Sequence, residues 1–199
     1  MSEKPRPLIR PNAYYHIFNR GVGHTTIFRD ESDYSRFLHL LGKYVPQIGH
    51  LLSYALIPDH FHLTVMTKSP AEIDPKLLNH PATLGNTFGH VQNAYAQYFN
   101  NKYSRVSSLF EHRYERIEVD TLPYFRQLVV YHHRNPVKHG IVNDYRNYLW
   151  TSYQELSSPH VTPHVKVQLT LRKFGGIENF FAAHQQDVPP EMANFEFDE

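Results

Sequence analysis

The sequence predicts an α+β fold in which one antiparallel sheet carries packed helices, in the order β-α-β-β-α-β-α. Three observations carry this expectation. Strand-like and helix-like runs alternate along the chain, two strand-like runs sit close enough to form a hairpin, and 199 residues without an internal repeat suit one globular domain. Residues 1–12 are proline-bearing, lack periodicity and read as an extended arm. From Ala13 the run to Arg20 is aromatic and β-branched and stops at Gly21-Val22-Gly23, the pattern of a strand. Ser32 or Asp33 can cap a helix whose apolar positions Tyr34, Phe37, Leu38, Leu41 and Val45 keep helical spacing up to Pro46. Residues 51–57 and 61–67 then read as an antiparallel hairpin with Pro58-Asp59 between them. After a loop over 69–81, residues 83–103 place Phe88, Val91, Tyr95, Tyr98 and Phe99 on one helix face, and 114–119 alternate as a further strand. Thr121 is a good N-cap ahead of Pro123, and Phe125, Leu128, Val129 and His132 keep helical spacing until Pro136. A short helix near 177–184 completes the reading. The expected organisation is an arm over 1–12, a main domain over 13–156, a C-terminal extension over 157–187 and an acidic flexible tail over 188–199.

Composition narrows the chemistry. The chain has no cysteine, which excludes a disulfide scaffold, a thiolate zinc site and a cysteine nucleophile and makes a cytoplasmic location the default expectation. No signal-peptide core or membrane-length apolar run is present, so no membrane association is expected. The formal charge of +1 at first argues against a nucleic-acid partner. Residues 175–199, however, hold six acidic residues and no Lys or Arg, leaving 20 basic against 13 acidic residues over 1–174, a net +7. A basic body with an acidic tail points to an anionic partner. The 15 histidines are the other unusual entry, since histidine is the commonest metal ligand among side chains.

Two constellations could carry chemistry. In His60-Phe61-His62 the two imidazoles are two apart, so on a strand they share a face and can reach one cation, with Phe61 turned to the core. Hydrogen-bonded or exposed strand histidines would give the same pattern. In Tyr131-His132-His133-Arg134-Asn135-Pro136 the tyrosine and asparagine are four apart and share a helix face, with Cβ atoms about 5–6 Å apart. The Asn135 amide oxygen could complete a site begun by two imidazoles, and a tyrosine oxygen can act as a nucleophile. Equally, Tyr131 could be an amphipathic core residue and Asn135 the last helical residue before Pro136. His132 turns off the Tyr131 face and reads as structural, whereas His133 could line the site or meet phosphate.

Taken together, these motifs resemble the single-tyrosine HUH transposases of insertion sequences, most closely the REP-associated tyrosine transposases and their chromosomal relatives. The matching residues are Tyr14-Tyr15-His16-Ile17-Phe18-Asn19-Arg20-Gly21, Leu56-Ile57-Pro58-Asp59-His60-Phe61-His62-Leu63, Tyr98-Phe99-Asn100 with Ser108-Leu109-Phe110, and Tyr131 followed by Asn135-Pro136-Val137-Lys138-His139-Gly140. Trp150-Thr151-Ser152-Tyr153 looks like the family's Trp-x-Ser-Ser-Tyr element with Thr151 in place of one serine. The resemblance runs from about residue 13 to 155, and a tail element of some relatives is matched at Gly175-Gly176-Ile177-Glu178-Asn179-Phe180. It implies a ferredoxin-like HUH fold, His60, His62 and Asn135 as ligands of Mg²⁺ or Mn²⁺, and Tyr131 as the nucleophile. The implied activity is cleavage and rejoining of single-stranded or hairpin DNA through a 5′-phosphotyrosine link, by a monomer or a homodimer. A water-using metal nuclease and a domesticated DNA-binding protein are the competing readings. A phenol with a pKa of about 10 needs a cation or a base to assist its attack. Arg20, Lys102, Arg105, Arg113, Arg116, Lys138 and His139 could track the phosphate backbone, and Tyr103, Phe110 and Tyr114 could stack on bases at about 1–3 kcal/mol each. Core packing of the aromatics and a solvated face for the arginines remain the alternative.

Overall fold

The computed structural model describes residues 7–80, 82–111, 113–158, 160 and 163–186. Four strands, β1 (Tyr14–Arg20), β2 (Gly49–Ile57), β3 (His60–Thr67) and β4 (Glu115–Glu118), form one antiparallel sheet in the order β2-β3-β1-β4. The helices are α1 (Glu31–Tyr44), the single-turn α2 (Pro75–Leu78), α3 (Thr83–Lys102), α4 (Leu122–Lys138), α5 (Tyr153–Ser157), α6 (Val167–Phe174) and α7 (Ile177–Gln185). The expected β-α-β-β-α-β-α core is present; α5 and α6 add to it, and the expected loop over 69–81 carries the single turn α2. Residues 1–6 of the expected arm and the tail 188–199 lie outside the described residues.

Side chains alternate across a sheet with period two, and β3 uses this strictly. Phe61, Leu63 and Val65 face one way, where Phe61 packs 4.8 Å from Phe37 of α1, which in turn meets Tyr95 of α3. His60, His62 and Thr64 face the other way. Alternation of apolar and polar residues usually marks one face turned to water. Here the polar face is covered by α4, and all three residues are buried. The register extends this face: Arg20 lies opposite His60, Phe18 opposite His62, and His16 opposite Thr64, which also pairs with Ser53 of β2.

Two helix boundaries depart from expectation for physical reasons. Asp30, rather than Ser32 or Asp33, caps α1, because its carboxylate accepts from the backbone N–H groups of Ser32 and Asp33 while Asp33 reciprocates in a capping box. Thr121 does cap α4, its hydroxyl accepting from Tyr124 N–H. The helix then runs through Pro136 to Lys138. A proline this close to the end forfeits a single backbone bond. The C-terminus is closed beyond it by His139 N–H to Asn135, Gly140 N–H to Val137 and Ile141 N–H to Pro136, with Gly140 in the left-handed conformation at φ +66°. Asn135 therefore stays helical, on the face of Tyr131. At the end of β1, Gly21 is required by close approach, since a Cβ there would sit 2.1 Å from the Thr25 carbonyl oxygen.

The Trp-Thr-Ser-Tyr element caps an edge. Trp150 accepts from Leu56 N–H, Ser152 N–H donates to Tyr54, and Thr151 bridges Ala55, so these residues cover the exposed rim of β2. Trp150 also stacks on Tyr34, with ring centroids 4.5 Å apart. No helix among the described residues is long and apolar enough to cross a membrane.

Candidate active site

Strand β3 and helix α4 bring His60, His62, Tyr131 and Asn135 together. Nε2 of His60 lies 3.2 Å from Oδ1 of Asn135, the rings of His60 and His62 meet edge to face at 5.2 Å, and His62 meets the Tyr131 ring in the same way at 5.4 Å. All four residues are buried, with Tyr131 4% exposed. Asp59, in the hairpin turn, holds Nδ1 of His60 at 2.7 Å. Burial opposes the charge of Asp59, but the hydrogen bond and charge of His60, with a further bond to His24, outweigh it and hold the carboxyl down at about 2. Asp59 is therefore a carboxylate at neutral pH and accepts from Nδ1–H; in the neutral imidazole so held, the lone pair of His60 is on Nε2.

That assignment makes the residues a fit for a divalent cation. Nε2 of His60 and Oδ1 of Asn135 are two lone-pair atoms facing each other, an arrangement relieved by a positive centre beside them. Asn135 is fully buried, yet its Nδ2 has no hydrogen-bond partner among the described residues. Turning the amide over would give Nε2 a donor but leave Oδ1 unpaired instead. Two imidazole nitrogens and an amide oxygen suit Mn²⁺ better than the oxygen-seeking Mg²⁺.

Sequence reasoning missed a second histidine layer beneath this set. Nε2 of His16 on β1 is 3.0 Å from Nδ1 of His62, and His132 on α4 lies against both rings, at 5.4 and 5.7 Å. Nδ1 of His132 meets Ser53 Oγ at 2.9 Å. Burial pushes the His16 imidazole down to about 3 and those of His62 and His132 well below their ordinary value, so all three are neutral. The one available signal was His16 itself, two residues before Phe18 on a strand whose pairing was unknown from sequence.

His133 does not reach the site, contrary to the expectation that it might line it. His184 Nδ1–H donates to the Phe180 carbonyl, so its Nε2 accepts from His133 Nδ1–H at 2.7 Å, and His133 Nε2 in turn accepts from the Ser152 hydroxyl at 2.9 Å. Ser152 Oγ accepts from Tyr54 N–H. Every proton in this chain is placed, and it locks α4 to α7 and to the edge of β2. Arg134 donating to the His184 carbonyl and Arg126 to the Lys173 carbonyl reinforce the clamp.

The basic residues divide. Lys138 and His139 are exposed at the end of α4, with Lys138 Nζ 5.7 Å from the Tyr131 ring centroid and the His139 ring 4.7 Å from that of His60. Arg20 shares the His60 face and pairs with Glu111 at 2.7 Å. Arg113 is exposed. Lys102 contacts Asp30, Asp33 and the Ser32 hydroxyl, Arg105 donates to Ser107 and lies over Phe99, and Arg116 lies opposite Ile17, on the far face of the sheet, where it donates to Tyr114. Phe110 and Tyr114 are core residues.

No protein-family model and no curated protein matches the chain by sequence. Among solved structures it is similar to a REP-associated tyrosine transposase bound to a REP hairpin, with a TM-score of 0.60 at 15% identity over 83% of this chain and 90% of that one. It also aligns with a bacterial tRNA(His) guanylyltransferase-like protein in complex with GTP, at TM-score 0.46 and 10% identity over 68% of this chain and 67% of that one. The tRNA(His) guanylyltransferase of Saccharomyces cerevisiae gives 0.44 and 9%, over 70% and 65%. The chain therefore has the fold of the REP-associated tyrosine transposase structure: an open four-stranded antiparallel sheet backed by helices, matched over most of both chains.

Proposed function

We propose that this protein is a REP-associated-type tyrosine transposase that cleaves and rejoins single-stranded DNA at hairpin-forming repeats through a 5′-phosphotyrosine on Tyr131. The observation that carries the reading is the convergence of Tyr131 with His60, His62 and Asn135 on one buried face between β3 and α4. The fold likeness to a transposase bound to a hairpin supports the substrate class. His60, His62 and Asn135 would hold Mn²⁺ or Mg²⁺, which supplies charge neutralisation of the scissile phosphate and of the leaving 3′ oxygen.

The chain's own residues do the rest. Tyr131 Oη attacks phosphorus, the bond from phosphorus to the 3′ oxygen breaks, and the 3′-OH leaves with a proton. A 3′-OH, the same or another, then attacks the phosphotyrosine and restores the phenol, so energy is conserved and no nucleotide cofactor is consumed. Asp59 orients His60, and the ammonium of Lys138 beside the Tyr131 ring brings positive charge to the phosphate. The clamp of His133, His184 and Ser152 holds the tyrosine helix against its own sheet, which supports a site completed within one chain.

The test is incubation of the full chain with labelled single-stranded hairpins carrying flanking sequence and Mn²⁺, followed by denaturing electrophoresis. A denaturation-resistant protein–DNA adduct is expected from the native chain and none from Tyr131→Phe. Cleaved DNA without adduct would instead identify water as the nucleophile, and hairpin binding without cleavage would identify a non-catalytic binding protein.

A further inference from the structure

We infer that His16, His62 and His132 form a second, fully buried metal site for a borderline-soft dication of the zinc class, and that it opposes loading of the active site through the shared His62. The second clause rests on the functional reading above; the first does not. The three rings come from three elements, β1, β3 and α4, and each is no more than 1% exposed. One ligand nitrogen from each lies within 4.8 Å of the others. Tetrahedral bonds of about 2.0–2.1 Å to imidazole set ligand nitrogens about 3.3 Å apart. The 3.0 Å between His16 Nε2 and His62 Nδ1 is already close to that spacing.

Ser53 supports the third ligand. With Nδ1–H of His132 donated to Ser53 Oγ, the lone pair of His132 sits on Nε2, which is buried and has no hydrogen-bond partner among the described residues. A partnered Nδ1 behind a bare Nε2 is the usual outer arrangement of a metal-binding histidine. The donor set is three neutral nitrogens with no oxygen, which selects Zn²⁺ and its neighbours and rejects Mg²⁺.

The antagonism follows from proton count. A neutral imidazole has one N–H and one lone pair. Nδ1 of His62 faces His16, so Nε2 is the nitrogen left for the set with His60 and Asn135. When Nδ1 binds a dication, the proton resides on Nε2 and His62 cannot serve the active site. When Nε2 serves the active site, Nδ1 carries the proton and donates to His16. The two sites are alternatives that differ by one proton shift.

The experiment uses the full, chelator-stripped chain with Co²⁺ as a spectroscopic probe, Zn²⁺ titrated against a chromophoric chelator, and Mn²⁺ followed by electron paramagnetic resonance. The native chain is expected to take one Zn²⁺ and to show the intense visible bands of tetrahedral Co²⁺. The double variant Ser53→Ala/His132→Leu, which removes the third ligand together with its partner, should lose those bands and bind Zn²⁺ more weakly by at least the roughly 10–100-fold that loss of an outer partner alone costs. Its Mn²⁺ binding should be unchanged and no longer lowered by Zn²⁺. His132→Gln, which keeps a polar partner for Ser53, is expected to behave alike and guards against misfolding, with circular dichroism as the check. Zn²⁺ affinity that survives both variants, or that disappears in His60→Ala, would put zinc in the active site and overturn the inference, as would a native chain that binds no Zn²⁺. None of these readouts involves DNA, so a chain that forms no adduct yet keeps the zinc behaviour would count against the proposed function alone.

Discussion

Asp59 and His16 do similar work from opposite sides of the candidate site: each engages the inner nitrogen of one histidine and so decides which nitrogen points outward. For His60 the partner is a carboxylate at 2.7 Å. Its folded pKa of about 2 lies below the ordinary carboxylate value, so its contribution to stability is complete above about pH 4 and is lost as the pH falls towards 2. The site is thus oriented throughout the neutral range. Loss of such a partner typically costs 10–100-fold in metal affinity. Asp59→Ala is expected to weaken Mn²⁺ binding by about that factor, measured by paramagnetic resonance titration, while raising the Mn²⁺ concentration restores adduct formation. Unchanged affinity would show that Asp59 serves the turn and not the histidine.

Between elements, buried charge is arranged to hold helices to one another. Asp33 on α1 is fully buried and Lys102 at the end of α3 meets it at 2.8 Å, with Tyr103 donating to the same carboxylate. Removing the cation leaves a buried carboxylate with hydroxyl and backbone donors only. Lys102→Met is expected to destabilise the protein by about 2–3 kcal/mol in urea unfolding. If Lys102 instead met DNA, the variant would flatten the salt dependence of binding by about 0.7 in the log–log slope. An unaltered slope is expected. The α5–α6 connection has its own pH signature. The hydrogen bond and charge of Glu155 raise the His164 pKa despite partial burial. A raised folded pKa stabilises below the unfolded value near 6.5, and the effect fades as the pH climbs through the folded value. The melting temperature of the native chain should therefore fall relative to His164→Gln between pH 6 and 8; parallel curves would exclude the pair as a contributor. These pairings also mark what sequence could reveal. The His60/His62 pair and the Tyr131/Asn135 pair were legible because each lies within one element and obeys its period, two for the strand and nearly four for the helix. Arg116 was not, because which face it takes depends on its pairing with Ile17 of β1. His133 was not, because its partner His184 comes from a helix 51 residues further on. For the same reason the sequence alone does not show that α4 covers the polar face of β3.

On the scale of the whole molecule, the candidate site is a joint. Strand β3 supplies His60 and His62, α4 supplies Tyr131 and Asn135, and α4 is anchored behind by Ser53, Ser152 and His184. A cation held by both elements would bind the folded chain and not the unfolded one, in which the ligands are scattered over 76 residues of sequence from His60 to Asn135. Linkage then makes metal binding a global stability term. At a free Mn²⁺ concentration of about 100 times the dissociation constant, the gain is about 2.7 kcal/mol. For a chain of this size that corresponds to a rise in Tm of roughly 5–10 °C. Scanning calorimetry should show this rise and its reversal by chelator. Tyr131→Phe, which removes only the phenol oxygen, is expected to keep the full shift while forming no adduct. His60→Ala and Asn135→Ala should each lose most of it, because they remove ligands from opposite sides of the joint. A shift retained by both ligand variants would locate the cation elsewhere in the molecule. A shift lost in Tyr131→Phe would mean that the phenol holds the cation itself, and the division of labour between nucleophile and ligands would have to be redrawn.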